Sequence, residues 1–259
     1  RLGYTDSGIT RLLSYETHDE FKTRVALVHR PEKTIICIST QIGCTGTCKF
    51  CSAGPMAVVR GLSRFEMLHI VCDTLFYIPA SHPVLVSFMG TGEPLANAEE
   101  VRQAIQLMRG IRTPGLLSFA LSTSGVFLPE LERFPHDVKV QFSLISPIPS
   151  VLKELVPQAD RIGNILVALC HYPGPKEINT PLIEGVNNDH STMRTLGAVA
   201  QCCGVSVKLN RFHPVNTQYA AAGNEEQCLA WLQRTGAEAE LYATDGEDIM
   251  AACGQFELR

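Results

Sequence analysis

Cys44-Thr-Gly-Thr-Cys48-Lys-Phe-Cys51 is the segment with the most chemical content. Three thiols within eight residues are soft ligands for a transition metal. A closed structural zinc site wants four ligands, usually as two separated pairs. No second C-x2-C pair occurs, so zinc would need a distant fourth ligand such as His29 or Cys37. Three thiolates instead suit a [4Fe–4S] cluster with one iron left open to bind a small molecule. A thiolate is also a nucleophile. Seven more cysteines lie outside the array, among them Cys37, seven residues before Cys44, and Cys253 in Ala251-Ala252-Cys253-Gly254-Gln255.

The rest of the composition sets limits. The chain has 259 residues, 22 Lys+Arg against 26 Asp+Glu, a formal charge of −4, and 45% hydrophobic residues. That is globular material with enough apolar surface for a sizeable core. No apolar run approaches the roughly 18 residues of a membrane helix. Arg1-Leu2-Gly3-Tyr4 carries no signal-peptide pattern. Ten cysteines without such a signal favour a reducing, cytoplasmic setting and metal or catalytic use over a disulfide framework. The net acidic balance gives no global reason to expect a nucleic-acid partner.

Positioning these cysteines falls to a repeating strand–loop–helix pattern. Leu12–Glu16 and Arg24–Val28 read as a hairpin around the turn His18-Asp19-Glu20. Thr34-Ile-Ile-Cys-Ile38 is β-branched and apolar, a first core strand, and the cysteine loop follows it. Ser63 with Glu66 forms a capping box that opens a helix to about Tyr77. Strands at Val84–Phe88, Leu116–Ser122, Val138–Leu144, Glu177–Ile183 and Val205–Leu209 alternate with helices. Those helices are at Ala98–Met108, Pro129–Arg133, Ser150–Leu155, Arg161–His171, Ser191–Cys202 and Glu225–Arg234. About six βα units imply an α/β fold, a partial (β/α)6 barrel with its site at the C-terminal strand ends. The expected organisation is an N-terminal hairpin extension over residues 1–33, a barrel over 34–245, and a C-terminal segment over 246–259 carrying Cys253. Cys72, Cys170, Cys202, Cys203 and Cys228 fall in helical or apolar runs and read as core or incidental.

Three turns join the array at that barrel end. They are Gly90-Thr91-Gly92-Glu93-Pro94, Leu121-Ser122-Thr123-Ser124-Gly125 and Phe142-Ser143-Leu144-Ile145-Ser146. The C-x3-C-x2-C spacing resembles the radical S-adenosylmethionine (SAM) superfamily. With these turns, the Gln41-Ile42-Gly43-Cys44 entry and Asp245–Gln255, nearly the whole chain resembles the RlmN/Cfr group of RNA methyltransferases. The resemblance implies a [4Fe–4S] cluster on Cys44, Cys48 and Cys51, and SAM held by Phe50, Gly92, Glu93, Ser122, Ser143 and His213. It implies methylation of an sp2 carbon of an adenine-type ring, two SAM per turnover, and an electron donor such as flavodoxin. In the implied mechanism Cys253 takes a methyl group, and a 5′-deoxyadenosyl radical abstracts hydrogen from it. The resulting carbon radical then adds to the substrate, and Cys37 attacks the Cys253 sulfur to release product and leave a disulfide.

Several positions depart from the family pattern. Arg24 stands thirteen residues before Cys37, where the family carries a carboxylate base, with Asp19 and Glu20 nearby. Ile145 stands for a histidine, and His213 for an asparagine. The chain reads as a short form without the family's N-terminal accessory domain. Lys22, Arg24, Arg30, Lys33 and Arg60 are the local basic positions that would meet RNA. A smaller nucleotide or heteroaromatic metabolite, another radical reaction, and a plain metal-binding module remain open alternatives.

Overall fold

In the computed structural model, which describes residues 2–111, 115–242 and 245–255, one ten-stranded sheet runs through the whole chain. β1 (Gly3–Asp6), β2 (Thr10–Glu16) and β3 (Lys22–His29) are antiparallel. β4 (Thr34–Ile38) pairs antiparallel with β3, so the expected hairpin continues the main sheet. β5 (Gln41–Ile42) and β6 (Arg60–Gly61) form a small separate ladder that brackets the cysteine loop. α1 (Arg64–Leu75) begins at the capping box of Ser63 and Glu66.

The alternation then follows as expected, with shifts of a residue or two. β7 (Val84–Phe88), α2 (Ala98–Met108), β8 (Leu117–Thr123), β9 (Lys139–Ser143), α3 (Pro149–Leu155), α4 (Ile162–His171), β10 (Lys176–Leu182), α5 (His190–Cys203), β11 (Ser206–Arg211) and α6 (Glu225–Gln233) succeed one another. The segment read as a short helix at Pro129–Arg133 is a 3-10 turn over Leu128–Arg133. A further strand, β12 (Ala239–Tyr242), pairs parallel with β11. Among the described residues a seventh parallel strand thus joins the six of the expected partial barrel at its edge. Strand order follows the chain, and β1 and β12 lie at opposite edges, so the barrel is open.

Period-two alternation gives each strand two faces. Ile36, Val86, Leu121, Phe142, Ile178 and Leu209 join one buried core with helix residues such as Met67 and Val101. Leu13, Tyr15, Val25 and Leu27 of the N-terminal strands point the same way, and Tyr15 donates to Asp73 of α1 at 2.8 Å. The alternate residues line the inner face. There Leu12 and Ala26 pack with Ala251, flanked by Cys37 and Ile249. The N-terminal strands thus form the platform on which the C-terminal segment lies, and Asp245 pairs with Arg30 at its start. Residues 256–259 of that segment lie outside the described residues. Among the described residues no helix is long and apolar enough to cross a membrane.

Cys170 and Cys203, read as incidental, are joined by a disulfide between the last turns of α4 and α5, 4.6 Å apart at Cα. The link spans 33 residues of sequence, and a loop of that size is worth about 3–4 kcal/mol of stability in the chain-entropy account. Reductant should therefore lower the Tm of the wild type, while Cys170→Ala should start lower and not respond. Equal melting of all samples would sink this expectation.

Candidate active site

The cysteine loop leaves β5 through Gly43, at φ +78°. A Cβ there would fall within 2.8 Å of the Ala57–Val58 backbone, so only glycine admits this crossing. Gly46 donates its N–H to Cys44 Sγ at 3.3 Å. A Cβ on Gly46 would stand 3.5 Å from Cys44 Sγ, 3.6 Å from Cys48 Sγ and 3.6 Å from Ser124 Oγ. The loop thus curls over the turn after β8. Burial raises the Cys44 thiol to about 11, with Cys51 and Glu93 adding to the effect. Burial likewise raises Cys48 and Cys51.

The chemistry of this donor set fits an iron–sulfur cluster. Three closely spaced thiols with no second C-x2-C pair are the donors that an iron–sulfur cluster with one open iron takes. A multi-iron cluster puts each thiolate on a different iron. His29, weighed as a fourth zinc ligand, instead contacts Thr34 Oγ1 at 3.1 Å, at the end of β4 away from the loop. His18, Asp19 and Glu66 do cluster within 4.8 Å, but Arg60 binds both carboxylates at 2.6–2.9 Å.

Gly92 and Glu93 lie against this loop. Gly92 is at φ +111°, with Thr40 and Gln41 where a Cβ would stand. Gln41 Oε1 accepts from Glu93 N at 2.9 Å and from Thr45 N at 3.3 Å, tying the turn after β7 to the cysteine loop. Glu93 is 3% exposed. Its Oε2 accepts from Ser124 N and Oγ at 3.0 Å, and its Oε1 from Leu95 N at 3.2 Å. Burial outweighs these bonds and raises its carboxyl pKa. Ser122 and Ser143 meet across β8 and β9, Oγ to Oγ at 2.9 Å. Phe50 packs edge-on against Phe212, 6.4 Å between ring centres. The adjoining His213 is buried, with Nδ1 3.3 Å from Glu247 of the C-terminal segment.

Cys253 and Cys37 come to the same place from opposite ends of the chain. Cys253 Sγ contacts Met89 Sδ at 3.5 Å. The Met89 backbone N–H bonds the Cys37 sulfur, and the charge of a Cys253 thiolate bears on Cys37. Ser52 N donates to Gly254 O at 3.1 Å, fastening the segment to the cysteine loop. A turn closed by Ala252 N to Gln255 Oε1 at 3.1 Å presents Cys253 outward. Cys253 opens to solvent, yet the surrounding protein raises its thiol pKa through desolvation. Burial pushes Cys37 far above the ordinary thiol range.

Comparison with known proteins fixes the family. No model of a protein family matches the chain. It is 30% identical over 267 residues to a probable dual-specificity RNA methyltransferase RlmN of Thermotoga sp. (strain RQ2), covering 97% of this chain and 76% of that protein. The chain belongs to the RlmN family of radical SAM methyltransferases. A probable RNA methyltransferase of Rhodopseudomonas palustris (strain BisB5) is 28% identical over 276 residues, covering 100% of this chain and 74% of that one. The crystal structure of a radical SAM methyltransferase from Sphaerobacter thermophilus aligns at TM-score 0.88 and 26% identity, over 97% of this chain and 78% of that one. Membership implies an iron–sulfur cluster and SAM as cofactors, and the donor set above fits both.

Some features of this RlmN-family site escape sequence reading. Met89 after β7, Ser124 after β8 and Gln41 on β5 bind its parts together, and no spacing signals that. Asp19, near the position of the family's base, does not replace it. Hydrogen bonds from Arg60 and then Thr17 hold Asp19 far below the usual carboxylate range, so it is a poor proton acceptor. Arg24 lies on β3 two residues from Ala26, the register partner of Cys37, and a guanidinium takes no proton. Of the basic positions, Arg60 and Arg30 are engaged by acids.

Proposed function

We propose that this RlmN-family chain methylates an sp2 carbon of an adenine-type ring in RNA, with Cys253 carrying the methyl group and Cys37 releasing the product. The meeting of both thiols at Met89, beside the cysteine loop, carries the reading. Residues 1–33 would serve as platform, 34–245 as barrel, and 246–259 as the segment that presents Cys253. Cys44, Cys48 and Cys51 would hold the cluster, and Phe50, Gly92, Glu93, Ser122, Ser143 and His213 would hold SAM. When bound, the cluster supplies an electron, drawn from a reductant such as flavodoxin, that cleaves SAM homolytically. Cys253 attacks a methyl group as thiolate. Its raised pKa means that this ionisation needs a positive charge close by. Later the Cys37 thiolate attacks the Cys253 sulfur of the substrate adduct: the S–C bond breaks, its electron pair stays on the carbon, which takes up a proton to become the methyl group, and the S–S bond forms.

Anaerobic incubation of reconstituted protein with methyl-labelled SAM, reductant, RNA and free nucleotides tests this. Label should pass to Cys253 and then to RNA. Unlabelled Cys253 overturns the methyl-carrier role. Label in nucleotides rather than RNA supports a second reading, small-molecule methylation, which the net charge of −4 and the paired arginines favour.

A further inference from the structure

The inner face of the barrel carries polar residues that the steps above leave unused. Register places Gln141 beside Glu177 on β9 and β10, and Asn179 beside Lys208 on β10 and β11. Asn210 follows two residues further along β11. Glu177 is 2% exposed and is gripped by Lys139 Nζ at 2.5 Å and Gln141 Nε2 at 2.6 Å, with Lys208 Nζ at 3.4 Å. This grip fixes Gln141 and leaves its Oε1 buried with no hydrogen-bond partner. Asn179 is 7% exposed, and its Oδ1 also has none. The same holds for Asn210 Oδ1.

One unsatisfied buried carbonyl costs free energy comparable to a lost hydrogen bond. Three of them on neighbouring strands of one concave face point to a ligand that brings donors. The charges there cancel: Lys139 and Lys208 face Glu177 and Glu240. That suits an uncharged group better than a phosphate. A carboxamide offers an acceptor beside an N–H donor, and this pair matches the amino group and adjacent ring nitrogen of adenine. Gln141, whose Nε2 is committed to Glu177, offers an acceptor only.

We infer that Asn179 and Asn210 read the amino-bearing edge of an adenine-type ring inside the barrel. Two molecules bring that edge, the substrate base and the adenine of SAM. Only the first source rests on the function proposed above.

Equilibrium dialysis on anaerobically reconstituted holoprotein separates them. One arm compares adenosine with inosine, the other S-adenosylhomocysteine with S-inosylhomocysteine. In at least one arm the amino-bearing probe should bind about tenfold tighter or more, the discrimination of a bidentate contact. Asn179→Val and Asn210→Val should each reduce that ratio toward one, with far-UV circular dichroism confirming the fold. The arm that responds names the source. Equal binding of both probes by the wild type in both arms overturns the inference, and so does a ratio that survives in a folded variant. Labelling of Cys253 by methyl-labelled SAM is read in the same samples. Its absence beside an intact amino preference would sink the methyl-carrier role and leave the subsite standing.

Discussion

Cys37→Ala is expected to stop turnover while leaving the earlier steps intact, so that substrate accumulates bound to Cys253. An adduct joined through a thioether breaks at sulfur only if another sulfur attacks it. Cys37 is the thiol that shares Met89 with Cys253. Cys51 also feels the charge of Cys253, but its role as a cluster ligand would remove it from the reaction. Loss of a unique nucleophile costs roughly a thousandfold or more in rate. The substitution trims one sulfur from the inner face beside Ala26 and Ala251, so folding should persist. Denaturing electrophoresis with labelled RNA should show a protein–RNA species that the wild type lacks. Normal turnover by Cys37→Ala would remove Cys37 from the mechanism. Cys253→Ala is the matching control: no methyl uptake and no adduct.

The strands were legible wherever β-branched residues ran between turns, as in Thr34–Ile38 and Val84–Phe88, because burial on the helix side demands that pattern. β1 escaped because all four of its residues are exposed and nothing alternates. β12, with two exposed residues in four, escaped for the same reason. Alternation marked Leu12–Glu16 and Arg24–Val28 as strands but says nothing of their partner. That they join β4 and carry the C-terminal segment depends on contacts more than 200 residues apart, such as Leu12 with Ala251. The cysteine loop was legible because its three cysteines are local in sequence. Cys170–Cys203 was not, since 33 residues separate two cysteines that sit in ordinary helical runs. The polar inner face was illegible too. Gln141, Glu177 and Asn179 look like the solvated side of amphipathic strands until the sheet curves around them.

Gly92→Ala should damage the site through both its backbone angle and its lack of room on the turn after β7. At φ +111° an L-residue is strained, at roughly 1–2 kcal/mol. The new Cβ would also stand 2.6 Å from Thr40 Oγ1, 2.7 Å from Gln41 N and 2.8 Å from Gln41 Cβ, and such overpacking adds about 1–3 kcal/mol. The total is about 2–5 kcal/mol, and it falls on a hub. Gln41 holds the Glu93 backbone on one side and Thr45 of the cysteine loop on the other. Its displacement would loosen the loop that presents Cys44. Lower iron content after anaerobic reconstitution should therefore accompany the fall in Tm. Gly8→Ala separates the two causes. Gly8 also has positive φ, +85°, but nothing lies within 4 Å of its Cβ position. It should lose only the backbone share, about 1 kcal/mol, and take up iron normally. If both variants melt alike and both bind iron, the turn does not shape the cluster loop through Gln41.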